Sequence, residues 1–394
     1  MHVILVYGDY PPKPAGQQDG GADFVAALAG QLVERGVRVT VLVSRRDDRQ
    51  APYMTETGVQ VIPLVADWTL WGAMRGELRR LREALTLQGP DVVHLIYPDP
   101  YIRYGSDSYH LPFLLKIAGA RTLLVTFFGF GVTGASFVTK LGLISLFASA
   151  KRIVITDLGL LHRFRRRFPF WARKASHGFV GSIASNESPR WSMSMLGVRR
   201  ADLRLPAQEK LVAFFGFWSP DKGLEDLIAA IAQLRLGGER VKLVLVGGRE
   251  PAFWTDYERT IQTLIVSRGL EDSVIQTGPL SGQAVADYLL AADVCVLPFH
   301  VNPLGRSSLA IGLSLGLPLI VSRPTVGGEL LEGVILVDPQ RPDRLADAIR
   351  EILMNPEKQA RSGEASARAS GNWSWSSIAD AYIAEYRRLT GTIE

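Results

Sequence analysis

The sequence predicts an α/β protein of two doubly wound parallel sheets, one per domain, facing each other across a cleft. Three observations carry this. Short Val/Ile/Leu runs alternate with amphipathic stretches along the whole chain, the pattern of parallel strands covered by helices on both faces. The strand-like runs are too many for one ordinary open sheet. Both halves also open alike, with an apolar strand, a loop containing Pro and Gly, and then an amphipathic helix. The run 3–7 leads to Gly20-Gly21, and the run 211–215 leads to Lys222-Gly223. The length of 394 residues agrees, since domains of ~150 residues give about two or three.

In the first half, residues 2–7, 37–43, 59–64, 91–96, 121–127 and 152–156 read as strands from their β-branched, apolar runs. Helical periodicity marks 22–35, 72–88, 136–150 and 158–168 between them. A second series follows, with strands at 210–215, 241–246, 273–276, 293–297, 317–322 and 334–337. Its helices are expected at 224–234, 257–268, 283–291, 308–315 and 342–354. Between residues 190 and 208 strand periodicity is lost and Pro206 appears. The expected organisation is therefore a domain over 1–195, a linker over 196–208, a second domain over 209–371 and a final helix within 372–394. That helix carries Ile378, Tyr382 and Tyr386 behind Trp373 and Trp375, and is expected to pack back toward the first domain.

Composition excludes several classes. Hydrophobic residues make up 47% and charged residues 21%, which rules out a disordered or collagenous chain. The single cysteine, Cys295, permits no internal disulfide or thiolate metal cluster; it sits in an apolar run and reads as buried packing. The longest apolar stretch, 309–321, is interrupted by Pro318 and falls short of the ~18 to 20 residues that span a bilayer. The first residues read as a strand rather than a signal peptide. A net charge of +5 suits an anionic partner, without choosing among a sugar nucleotide, a lipid surface and nucleic acid.

Three segments could carry chemistry. Asp19-Gly20-Gly21 closes a long loop after the first strand and enters a helix, where main-chain N–H groups and the helix dipole favour an anion. Gly216-Phe217 and Lys222 follow the first strand of the second series, and Lys222 stands just before a helix, within reach of a phosphate. His300, Arg306, Ser307, Ser308 and Leu309 follow the strand ending at Leu297. The two serines read either as a plain N-cap or, with Arg306, as a diphosphate cradle.

These residues resemble a known family. Lys222-Gly223, the strand around 243–247, the run 291–298, Gly316-Leu317-Pro318 and Gly327-Gly328-Glu329 look like the carboxyl domain of the family 4 glycosyltransferases of GT-B fold. Gly20-Gly21 is similar to that family's amino-terminal acceptor loop. The resemblance implies two Rossmann-like domains and retaining transfer of a sugar from a nucleotide-sugar donor, with no cofactor and no essential metal. It implies Lys222 and Ser307 as catalytic groups. Donor binding then falls to Gly216, Phe217, Lys222, His300, Arg306, Ser307, Ser308 and Leu309. Asp19, Gly20, Gly21 and Phe128 are assigned to a sugar, lipid-linked or small-molecule acceptor. The chain departs from the pattern in two places. The usual glutamate pair, eight residues apart, falls near Pro303 and Ile311, and the usual strand-end histidine is Phe128. Arg306-Ser307-Ser308-Leu309 is similar to a subgroup that has an Arg-x-Ser-Leu start instead of the first glutamate. An alternative from another class stands beside the enzyme: a non-catalytic relative acting as a partner or regulatory subunit.

The last feature interleaves basic and aromatic residues: Arg163, Arg165, Arg166, Arg167, Phe168, Phe170 and Trp171. Such a segment reads as a solvated helix face or as a peripheral membrane contact. The expected location is cytoplasmic, peripheral on the inner membrane face, with no nucleic-acid partner. His94 is expected in the core, and no His/Asp/Glu set has metal-ligand spacing.

Overall fold

The computed structural model describes residues 1–11, 20–45, 50–65, 76–97, 110–128, 144–182, 189–206, 208–248, 255–280 and 282–391. The chain divides into two compact units, Met1–Phe179 with Trp375–Glu394, and Val180–Ser374. Among the described residues, no helix is long and apolar enough to cross a membrane.

The first unit contains β1 (His2–Val6), β2 (Arg38–Ser44), β3 (Tyr53–Met54), β4 (Gln60–Val65), β5 (Val92–Tyr97), β6 (Leu123–Phe127), β7 (Arg152–Ile155) and β8 (Ala175–His177). They form one eight-stranded sheet in the order β3-β4-β2-β1-β5-β6-β7-β8, parallel except where β3 pairs antiparallel with β4. β1, β5 and β6 are buried along their whole length, which is why they read as unbroken apolar runs. Helices Gly20–Glu34, Leu78–Gln88, Leu111–Ala118 and Leu158–Arg167 accompany them. Local chemistry sets their ends. The Asp157 carboxylate accepts the Leu160 N–H at 2.6 Å and starts the helix that follows. Gly89 and Gly119 close the two preceding helices in left-handed conformations.

The last helix, Trp375–Thr390, belongs to this first unit. The Trp375 ring packs tilted against Phe24, with centroids 5.3 Å apart. Arg35 pairs with Asp380 at 2.6 Å, and Arg152 with Glu385 at 2.8 Å. Beneath it runs a buried polar chain. His94 Nδ1 is 2.6 Å from the Tyr386 hydroxyl, His94 Nε2 is 2.8 Å from Thr126 Oγ1, and that oxygen is 2.9 Å from the Tyr382 hydroxyl. Burial pushes the His94 imidazole down to about 3 and both tyrosines above their ordinary value, so every member stays uncharged at neutral pH.

The second unit contains β9 (Lys210–Phe215), β10 (Val241–Val246), β11 (Val274–Gly278), β12 (Val294–Leu297), β13 (Leu319–Ser322) and β14 (Ile335–Val337). All pairs are parallel, in the order β11-β10-β9-β12-β13-β14. Helix Leu224–Leu236 buries Leu227, Ile228 and Ile231 in a core shared with Val212, Phe214 and Leu243 of the sheet and Ile349 of helix Pro342–Met354. Cys295 is buried in β12, and desolvation pushes its thiol up to about 12.

The structure corrects the expected boundary. Residues 180–195 belong to the second unit rather than the first, and the supposed linker at 196–208 includes helix Leu196–Asp202. Burial explains it. Trp191 is 9% exposed and gives its indole N–H to the Ala292 carbonyl at 3.0 Å. Arg200 is buried against Asp293 at 2.6 Å. Strands β3 and β8, and helices Leu111–Ala118, Leu196–Asp202 and Pro356–Ala369, are additional to the expected elements. Most of the expected helix at 136–150 lies outside the described residues, and 144–149 is helical.

Candidate functional site

In the second unit the chain passes from β9 to β10 on one side and later returns to β12 on the other. The loops after β9 and β12 therefore flank a topological switch point, the usual ligand position in such sheets. Gly216 leaves β9 with φ +152° and gives its N–H to Val246 O at 3.2 Å. Phe217 follows, half-buried.

The turn Pro220–Lys222 then brings a set of charges together. Gly223 has φ +67°, and a Cβ there would lie 1.9 Å from the Pro298 carbonyl oxygen. Only glycine permits that approach of the two loops. The His300 N–H closes the same junction on the Asp221 carbonyl at 2.9 Å, and His300 Nε2 sits 2.7 Å from Asp226 Oδ2.

Lys222 is 9% exposed, with its ammonium 5.1 Å from the centre of the Phe299 ring. Lys222 Nζ and Arg306 Nη2 meet on one carboxylate oxygen, Asp221 Oδ2, at 3.5 Å and 3.2 Å. The Ser219 hydroxyl donates to the other oxygen. Burial alone would raise the Asp221 carboxyl, but Lys222, Arg306 and Ser219 together hold it below its ordinary value.

Arg306 is the N-cap of helix Ser307–Ser314, in extended conformation and with no side chain capping the helix. The plain serine cap is thus not what the structure contains. Ser307 and Ser308 occupy the first two helical positions, whose N–H groups have no partner among the described residues. Leu309 is corrected: its side chain is fully buried and its N–H is given to Arg306 O at 3.1 Å, which makes it a packing residue.

The first unit gathers the other expected residues at the carboxyl edge of its sheet. Gly20 is exposed at the helix start. A Cβ on Gly21 would lie 2.0 Å from the Tyr7 hydroxyl oxygen, so glycine lets Tyr7 close beneath the helix. Phe128, just past β6, meets Phe24 of that helix edge-to-face at 4.9 Å. It offers an apolar wall and no proton-transfer group. Asp19 lies outside the described residues.

The basic segment is sorted by burial. Arg163, Arg165, Arg166 and Arg167 are exposed, although Arg165 also reaches Ala175 O at 2.9 Å. Phe170 is 96% exposed. Phe168 and Trp171 are half-buried, and both pack on Phe147, at 5.1 Å and 5.5 Å.

The chain is similar to known proteins along most of its length. The Glycosyl transferases group 1 family matches residues 198–369, and the glycosyl transferase 4-like domain matches residues 19–156. The chain belongs to the group 1, family-4-like glycosyltransferases. A D-inositol 3-phosphate glycosyltransferase of Saccharomonospora viridis is 24% identical over 98% of this chain and 93% of its own. The first of the other curated relatives matches over 48% of this chain and 42% of its own length, so the chain spans less than half of it. Sucrose-phosphate synthase of Thermosynechococcus elongatus superposes over all of both chains with a TM-score of 0.79 at 23% identity. HepE of Anabaena, solved with UDP and glucose, has a TM-score of 0.73 at 19% identity, covering 98% of this chain and 100% of its own. These likenesses establish the GT-B fold of this glycosyltransferase-family chain. Asp221 and Asp226 were not singled out from sequence. The available signal was an Asp immediately before a lysine expected at a phosphate.

Proposed function

We propose that the chain is a retaining glycosyltransferase that moves a sugar from a nucleotide-sugar donor to a hydroxyl of a sugar, lipid-linked or small-molecule acceptor. One observation supports it most: Lys222 and Arg306 converge on a single carboxylate oxygen beside the first turn of helix Ser307–Ser314. Two cations and two main-chain N–H groups match a diphosphate. In the reaction the bond from the anomeric carbon to the phosphate oxygen breaks and a bond to the acceptor oxygen forms on the same face. The acceptor proton passes to the leaving phosphate oxygen, so no protein base is required. Lys222, with the hydroxyl and N–H of Ser307, offsets the charge that grows on that oxygen. Gly216, Phe217, His300 and Ser308 complete the donor side; Gly20, Gly21 and Phe128 offer the acceptor side. This assigns the electrostatic work to side chains and main-chain N–H groups and asks for no resident cofactor or essential metal. A uridine diphosphate donor is the first candidate, since HepE was solved with UDP and glucose.

The test is a thermal-shift screen with UDP, GDP, ADP and their glucose or mannose esters. One nucleotide class is expected to raise the melting temperature, with about 2.7 kcal/mol of stabilisation at a hundredfold excess over Kd. No shift with any of them would favour the non-catalytic alternative.

We also infer a cytoplasmic protein held peripherally on an anionic inner membrane face. Arg163, Arg166, Arg167 and the fully projecting Phe170 support it, with ~1 kcal/mol per basic group near such a surface. Sedimentation with phosphatidylglycerol vesicles is expected to carry the protein down at low salt. Phe170→Ser with Arg166→Glu should cut the bound fraction at least about fivefold; equal binding would remove the membrane from this reading.

A further inference from the structure

Asp221 stands where a bound diphosphate must compete with it. Its Oδ2 already engages both cations assigned to the donor, at 3.2 Å and 3.5 Å, while Ser219 holds its other oxygen. The side chain is 31% exposed, so the carboxylate is partly buried and still reached by solvent. It cannot readily swing away with its loop, because the Asp221 carbonyl accepts the His300 N–H at 2.9 Å and Gly223 is pressed against Pro298.

We propose that Asp221 is an internal counter-anion of the donor site: it keeps Lys222 and Arg306 gathered while the site is empty and repels the diphosphate product more strongly than the sugar donor. The inference rests on the donor reading above and adds a bias toward product release. The bias follows from charge. A sugar nucleotide carries its diphosphate as a diester with two negative charges. The released nucleoside diphosphate ends in a monoester whose second ionisation, with pKa about 6, brings it to about three at neutral pH. A fixed carboxylate between the same two cations acts against the third charge as well as the first two. Asp221 is thus a positioning residue that acts through Lys222 and Arg306.

The experiment is calorimetric titration of Asp221→Asn, which keeps the shape and can still accept from Ser219. Whichever of UDP, GDP and ADP binds the unaltered protein is expected to bind the variant about tenfold tighter, and its glucose ester only about threefold tighter. In turnover the same nucleoside diphosphate becomes a stronger inhibitor, and both kcat and KM fall as release slows. Asp221→Glu, which restores the charge, should return both affinities toward the unaltered values. Asp343→Asn makes the same change of net charge on the exposed pair with Arg341 and should alter neither. Equal or weaker binding by Asp221→Asn, or equal gains for product and donor, overturns the inference and leaves the donor reading standing. If no nucleoside diphosphate binds the unaltered protein, the donor reading falls and the inference falls with it.

Discussion

Lys222→Ala is expected to lower kcat/KM by about 10² to 10³-fold, the loss typical of removing one preorganised charge from a developing oxyanion. Most of it should appear in kcat. The diphosphate is already anionic in the bound donor, so Lys222 contributes to binding, but its interaction strengthens as negative charge grows on the departing oxygen. Steady-state kinetics together with a directly measured donor Kd separate the two effects. The position is unusually well built for this work. Lys222 is almost wholly buried, its ammonium lies over the Phe299 ring, and Gly223 locks the turn that carries it against Pro298. An exposed lysine would be screened by solvent and worth far less. Asp221 and Arg306 remain paired in the variant, so its melting temperature should stay within a few degrees of the unaltered protein. A collapse in stability would make the kinetic loss a folding effect, and unchanged turnover would remove Lys222 from the chemistry.

The two parallel sheets were legible because central parallel strands are buried on both faces and leave continuous apolar runs. β1, β5, β6 and β12 are all of that kind. The elements missed are those whose burial does not use large apolar side chains. Helix Pro356–Ala369 turns Gln359, Ser362, Gly363, Ala365 and Ser366 inward. Gln359 donates to Asp293 O at 2.7 Å, and a Cβ on Gly363 would lie 2.8 Å from Gly316 O. Close backbone approach and hydrogen bonds replace the apolar stripe that periodicity detects. β3 and β8, two and three residues long, are too short to alternate visibly. The misplaced domain boundary has the same origin, since Arg200 reads as a surface residue until Asp293, 93 positions later, closes on it.

At the site, sequence position alone brought Lys222, His300, Arg306 and the two serines to the ends of β9 and β12, because the loop after a parallel strand must emerge at the sheet's carboxyl edge. It could not supply their mutual arrangement. The convergence of Lys222 and Arg306 on Asp221 joins residues 85 positions apart, a pairing that no local pattern encodes. Leu309 shows the converse: it neighbours the serines in sequence, but the helical turn carries its side chain into the core.

Acid should unfold this protein through His94. Its imidazole, fully buried, is held neutral, with its pKa lowered from 6.5 to about 3 by desolvation. Above pH 6.5 neither the folded nor the unfolded chain protonates this group, and its contribution to stability is complete. As pH falls from 6.5 toward 3, the unfolded chain takes up a proton that the folded chain refuses. Stability then drops by about 1.4 kcal/mol per pH unit, on the order of 5 kcal/mol in all. His2 and His177, whose pKa values are also lowered by burial, act in the same direction. His94→Gln isolates the largest share, because an amide can bridge Tyr386 and Thr126 but does not titrate. At pH 7.5 the variant should be less stable by about 1–3 kcal/mol, the cost of imperfect hydrogen bonds and packing in a buried chain. By pH 4.5 the difference should have vanished or reversed, and the readout is urea unfolding of the two proteins across that range. Parallel pH profiles would mean that the folded chain admits the proton, either by hydrating His94 or by releasing the helix Trp375–Thr390. Deleting the chain after Asn372 distinguishes these: it removes Tyr382 and Tyr386 together with the ion pairs to Arg35 and Arg152. If that helix is what seals His94 from water, the truncated first unit is less stable at pH 7.5 and loses most of its acid sensitivity.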